Sequence, residues 1–135
     1  MTMTGTTPIL APSLDDIEAM ARQAFAELPA TFRDLVEGVV FVVTDFPDGD
    51  VVREMALESP FDILGLYSGL PFGQDAGGAV MQDVDRIFLY RRPILDYWCE
   101  TEEALEDIVR HVLVHEIGHH VGLSDDDMEA IEARP

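Results

Sequence analysis

Apolar residues recur along the chain at two different spacings, and these spacings separate the predicted helices from the predicted strands. Positions 14–28 carry an apolar residue every three or four places. Ser13 precedes them as a suitable N-cap and Pro29 follows them, so this segment predicts an amphipathic helix. Uninterrupted β-branched and aromatic runs are typical of buried strands. Three such runs lie at 39–43, 63–67 and 86–90, the last of them closed by Pro93.

The C-terminal half contains the longest predicted helix. Residues 101–121 combine an apolar stripe with Thr101 as the N-cap, and Gly122 suits the turn that ends the helix. A last short helix is predicted within 125–134. Residues 69–78 contain four glycines and are predicted to form a flexible loop.

The order of these elements predicts an α+β fold in which a small mixed sheet packs on the helix at 101–121. We expect one domain over residues 13–135, because 47% of the chain is hydrophobic and can supply a core. Residues 1–12 lack periodicity and are predicted to be a flexible N-terminal tail.

The charge of the chain excludes two classes of partner. The 27 acidic residues against 8 basic ones give a formal net charge of −19, which repels nucleic acid and anionic membrane surfaces. No apolar run is long enough to span a bilayer, and the N-terminus lacks the basic region of a signal peptide, so a cytoplasmic location is expected. Cys99 is the one cysteine, which excludes an intramolecular disulfide, and we expect it to be buried.

The candidate chemistry lies in the longest helix, in the sequence His115-Glu-Ile-Gly-His119. Residues four apart project from the same helix face, so both imidazoles can reach one zinc ion. Glu116 lies beside His115, where its carboxylate can contact a metal-activated water without displacing it. This arrangement predicts a zinc site with Glu116 as the general base.

A third ligand is expected after the helix. The turn at Gly122 can bring Asp125 back towards the metal, with Asp126 as the next candidate. Two histidines and one carboxylate leave a position open, as in catalytic rather than structural zinc sites. His111 lies four residues before His115 and could approach the metal, but we predict that it extends the apolar edge of the helix. His120 points away from the metal-binding face and is predicted to lie outside the ligand set.

The extended motif His115-Glu-Ile-Gly-His119-His-Val-Gly122-Leu-Ser-Asp125, with the stretches at 64–69 and 86–93, resembles the small bacterial zincin-like metallopeptidases that have a minimal matrix-metalloprotease-like domain. The resemblance covers roughly residues 14–132. It implies a zincin-like α+β fold, three zinc ligands and Glu116 as the base. Two features depart from related metzincins: an aspartate stands where a third histidine is usual, and Met128 is too close to the motif for their methionine turn.

Two functions from different classes remain open at this point. The first is a zinc metallopeptidase that hydrolyses peptide or amide bonds in peptide or protein substrates. In this case we expect a strand near the active helix, with 86–90 as the candidate, to pair with an extended peptide. The second is a zinc-stabilised binding or regulatory domain with little catalysis. The retained Glu116 favours the first, because a structural site does not need a base. The sequence does not specify an oligomeric state.

Overall fold

The structure is a computed structural model that describes residues 8–69 and 84–133. Six α-helices and three strands lie within these residues, and the chain is therefore α+β, as predicted. The elements are α1 (Leu14–Ala26), α2 (Ala30–Arg33), β1 (Val40–Thr44), α3 (Gly49–Glu54), β2 (Gly65–Ser68), β3 (Arg86–Tyr90), α4 (Arg91–Glu100), α5 (Leu105–His120) and α6 (Asp125–Glu132). Single 3₁₀ turns lie at Asp34–Val36 and Pro60–Asp62.

The three strands form one mixed sheet in the order β1-β3-β2. β1 runs parallel to β3, with Phe41 opposite Ile87, and β2 runs antiparallel to β3, with Tyr67 opposite Ile87. This confirms the small mixed sheet. It also makes β3 the central strand, because both of its edges are occupied by neighbours.

Helix α1 begins where the sequence predicts. Ser13 Oγ accepts a hydrogen bond from the Asp16 backbone N–H at 3.0 Å, and the Ser13 N–H donates to Asp16 Oδ2 at 2.8 Å. This reciprocal pair is a capping box, which satisfies two backbone donors that the first turn would otherwise leave unpaired.

The core lies between α1, α5 and the sheet. Its most deeply buried side chains come from all three layers and include Ile17, Ile87, Leu89, Leu113 and Ile117, each fully shielded from solvent. Each such aliphatic side chain contributes about 1.5–3 kcal/mol on burial. The apolar stripe of α5 thus packs into the core and holds in place the helix that carries the candidate site.

Helix α4 was not predicted, and its presence changes three expectations. Pro93 lies in the first turn of α4, where a missing N–H costs little because the first four N–H groups lack partners within the helix. Thr101 is the C-cap of α4 rather than the N-cap of α5, which starts at Leu105. Cys99, expected to be buried, is exposed on α4.

The connection between α5 and α6 is tight. Gly122 adopts a φ of +81°, a conformation that glycine reaches without strain, and its role in the turn is as predicted. Beyond it, Ser124 caps α6 by accepting a hydrogen bond from the Asp127 N–H. Met128 is fully buried against Gly118, where a Cβ would lie 2.7 Å from the methionine Cγ and closer still to the sulfur. A glycine at 118 therefore lets α6 pack directly on α5.

Two predictions fall partly or wholly outside the described residues. The glycine-rich loop at 69–78 lies outside them except for Gly69, and most of the N-terminal tail lies outside them too. Within 8–69 and 84–133, no helix combines the length and the apolar character that crossing a bilayer requires.

Candidate metal centre

The last two turns of α5 carry the three residues of the predicted zinc-and-base unit. His115 and Glu116 are half-buried, and His119 is exposed. The imidazole rings of His115 and His119 lie with their centroids 5.9 Å apart and their planes nearly perpendicular. Helical spacing thus places the two rings one turn apart, on a segment anchored by the buried Ile117.

Glu116 is held by the sheet. Its Oε1 accepts a hydrogen bond of 3.1 Å from the backbone N–H of Tyr67 in β2. Burial raises the pKa of the Glu116 carboxyl above its ordinary value, while the Tyr67 N–H and the charge of His119 act in the opposite direction. The carboxylate is therefore oriented by a backbone group and is more basic than an exposed glutamate.

Asp125 is the first residue of α6 and is exposed. Asp126 beside it is also exposed, whereas the Asp127 carboxylate accepts a hydrogen bond from the Ser124 N–H in the capping box. Across the described part of the chain, no group of three or more side chains with potential ligand atoms within 4.8 Å of one another includes His119 or Asp125. The ligand set proposed from the sequence is thus on adjacent elements but is not gathered around one point.

The side chains of His111, His115 and Glu132 do bring potential ligand atoms within 4.8 Å of one another, and we call these three residues the His111 cluster. His111 Nδ1 lies 2.7 Å from Glu132 Oε1, and His115 Nε2 lies 3.2 Å from Glu132 Oε2. His111 is exposed and does not extend the apolar edge of α5, contrary to the prediction. Sequence reasoning missed Glu132 entirely. The repeat of histidines at 111, 115 and 119 was the available signal, but it does not identify a carboxylate on another helix.

A second polar group surrounds the side chain of Tyr67, whose backbone N–H donates to Glu116. The Tyr67 ring stacks on His120, with centroids 3.8 Å apart, and the Tyr67 hydroxyl donates to Asp85 Oδ2 at 2.8 Å. Burial, followed by the hydrogen bond to Asp85, holds the pKa of Tyr67 well above its usual value. His120 thus faces β2 and not the rings of His115 and His119.

The donor chemistry of this region fits a zinc ion. Imidazole nitrogens and carboxylate oxygens are the ligands that catalytic zinc uses. α5 supplies the imidazoles, and α6 supplies carboxylates at both of its ends, Asp125 at the first residue and Glu132 at the last. The high negative charge of the chain also favours a divalent cation over an anion.

Comparison with known proteins supports this interpretation at the level of family and fold. A solved structure of a conserved hypothetical protein from Thermus thermophilus is similar to this chain with a TM-score of 0.52 at 20% identity. The similarity covers 82% of this chain and 94% of that one, and it shows a shared fold. No curated protein matches the chain significantly. The family described as zincin-like metallopeptidase matches residues 36–134, which is most of the sequence, and the chain therefore belongs to that family.

Proposed function

We propose that this protein is a zinc-dependent metallopeptidase that hydrolyses peptide or amide bonds. Membership of the zincin-like metallopeptidase family supports the reaction class. His115, His119 and Asp125 would hold the ion, with Asp126 as the alternative third ligand. Zinc bound there supplies a Lewis acid that polarises the scissile carbonyl and makes a neighbouring water easier to deprotonate.

Glu116 is the proposed general base. It takes a proton from the attacking water as the water oxygen bonds to the carbonyl carbon, and it delivers this proton to the leaving nitrogen as the C–N bond breaks. The hydrogen bond from the Tyr67 N–H to Glu116 Oε1 is the observation that carries this assignment, because it fixes a half-buried carboxylate beside His115. The raised pKa of Glu116 suits it to both transfers.

An extended peptide would pair with β2 rather than with β3. The earlier candidate, residues 86–90, is the central strand and has neighbours on both edges. In β2, the Tyr90 N–H donates to the Leu64 carbonyl, and alternate residues of an antiparallel strand face the neighbouring strand. The backbone groups of Gly65 and Tyr67 therefore point away from β3. The Tyr67 N–H already donates to Glu116, so a peptide would pair with the other groups on this edge. A peptide added along this edge would lie next to Glu116.

The substitution Glu116→Gln tests the mechanism. It keeps the size of the side chain and an oxygen that accepts the Tyr67 N–H, but it removes the base. We expect the variant to bind zinc and to lose chelator-sensitive cleavage of a peptide library. Glu129→Gln is the matched control, because Glu129 is an exposed carboxylate on α6.

Undiminished cleavage by Glu116→Gln would refute the assigned base. If the wild-type chain cleaves no peptide in a chelator-sensitive manner, the zinc-stabilised binding domain replaces the peptidase as the better account. Family membership and the orientation of Glu116 favour the peptidase.

A further inference from the structure

The carboxylate of Glu132 lies between two imidazoles of α5. Its two oxygens are 2.7 Å from His111 Nδ1 and 3.2 Å from His115 Nε2, and the two rings lie with their centroids 3.9 Å apart. Two nitrogens and two carboxylate oxygens therefore converge on one small volume, one helical turn before the His115–His119 pair.

The position of Glu132 depends on the buried side chain of Arg110 and not only on side chains at the surface. Arg110, which is 7% exposed, donates from its guanidinium to the backbone carbonyls of Glu132 at 2.6 Å and of Ile131 at 3.0 Å. These bonds fix the C-terminal end of α6 against α5. The packing of Met128 on Gly118 fixes the middle of α6 in the same way. The backbone of Glu132 is thus held in place independently of its carboxylate.

We propose that the His111 cluster is a second divalent-cation site, which differs from the His115–His119–Asp125 set in every ligand except His115. Imidazole and carboxylate together suit zinc, and Glu132 lies at the C-terminal end of α6, where the helix dipole also favours a cation. The partial exposure of the side chains, 55% for His111 and 24% for Glu132, leaves the ion a path from solvent.

The two sites share His115, which has a consequence that rests on the proposed function. An ion in the His111 cluster engages His115 Nε2 and withdraws that imidazole from the catalytic set. An ion in the cluster and an ion in a catalytic set that uses His115 therefore exclude each other, and a chain whose zinc lies in the cluster lacks one catalytic ligand.

The test uses the full chain and zinc alone, with affinity measured by competition against a chromophoric chelator. His119→Ala disables the catalytic set but leaves the cluster intact. We expect this variant to bind one zinc ion per chain. Adding Glu132→Gln should weaken binding by more than about tenfold, since even outer-shell changes at zinc sites cost 10- to 100-fold. Adding Glu129→Gln instead should change nothing, because that exposed carboxylate lies outside the cluster.

Equal zinc affinity in the Glu132→Gln and Glu129→Gln double variants would overturn the second site. His111→Ala on the same His119→Ala background gives an independent measurement, and it should weaken binding as Glu132→Gln does. Because every protein in this comparison lacks His119, the result does not depend on peptidase activity. Failure of the proposed function is detected separately, by the absence of chelator-sensitive peptide cleavage in the wild-type chain.

Discussion

The backbone N–H of Tyr67 donates to Glu116 Oε1 at 3.1 Å, which joins strand β2 to helix α5 across 49 positions of sequence. The donor is a main-chain group, so no side-chain replacement at position 67 other than proline removes it. The sheet therefore contributes to the candidate active site by orienting the carboxylate of the base. The half-buried Glu116 is also kept from rotating freely on the helix surface.

This bond predicts a difference between two substitutions of Glu116. Gln keeps an acceptor for the Tyr67 N–H, whereas Ala leaves that partly buried donor without a protein partner. We expect Glu116→Ala to be less stable than Glu116→Gln by about 1–3 kcal/mol, the cost of an unsatisfied buried donor. Denaturant unfolding of both variants in the presence of a chelator measures the difference. Equal stabilities would mean that the bond contributes nothing to the fold.

The close approach of Gly118 and Met128 predicts a second effect. A Cβ at 118 would overlap the Met128 side chain, so Gly118→Ala should lower the free energy of unfolding by about 1–3 kcal/mol, as overpacking of a core does. Met128→Ala removes the obstructing atoms at its own cost. The double variant should therefore be more stable than the sum of the two single effects predicts. Strict additivity would show that the overlap is relieved elsewhere.

Local signals explain what could be predicted from the sequence. Ser13 with Asp16 and Gly122 with its positive φ are cap and turn residues, and each acts within a few positions of chain. The three strands were predicted from short β-branched and aromatic runs, and the long helix from the spacing of its apolar residues. These signals also extend over only a few positions of chain. Helix α4 was missed because Pro93 suggested an end, although a proline in the first turn is compatible with a helix.

The His111 cluster could not be predicted for a different reason. Glu132 reaches His111 because of the way α6 packs against α5. This packing depends on the contact of Met128 with Gly118 and on the hydrogen bonds from Arg110 to the end of α6. These are tertiary contacts between residues 10 to 22 positions apart. No periodicity within either helix encodes them.

The third ligand of the proposed catalytic site is tested by a neighbouring pair of aspartates. Asp125→Asn should weaken zinc binding by more than about tenfold, because it removes a charged ligand. Asp126→Asn serves as the matched control, since Asp126 is the next residue and is also exposed. Zinc affinity measured for both substitutions on a Glu132→Gln background, which weakens the His111 cluster, distinguishes them. A larger loss in Asp126→Asn would transfer the ligand role to that residue.

Tyr90 predicts how stability depends on alkaline pH. It is 2% exposed, and burial, followed by the negative charges of Asp48 and Glu116, raises its pKa to about 12. In the unfolded chain the phenol has the ordinary pKa of 10.0. Because the folded-state value is the higher one, the stabilisation from the protonated phenol is fully present below pH 10 and is lost as the pH rises towards 12.

Tyr90→Phe isolates this contribution, since it removes the hydroxyl and keeps the buried ring. Relative to this variant, the wild-type chain should hold a constant stability between about pH 7 and 9 and should lose stability at higher pH. Unfolding free energies of both proteins, measured across this range, give the difference directly. A stability difference that does not change above pH 10 would mean that Tyr90 ionises equally easily in the folded and unfolded states.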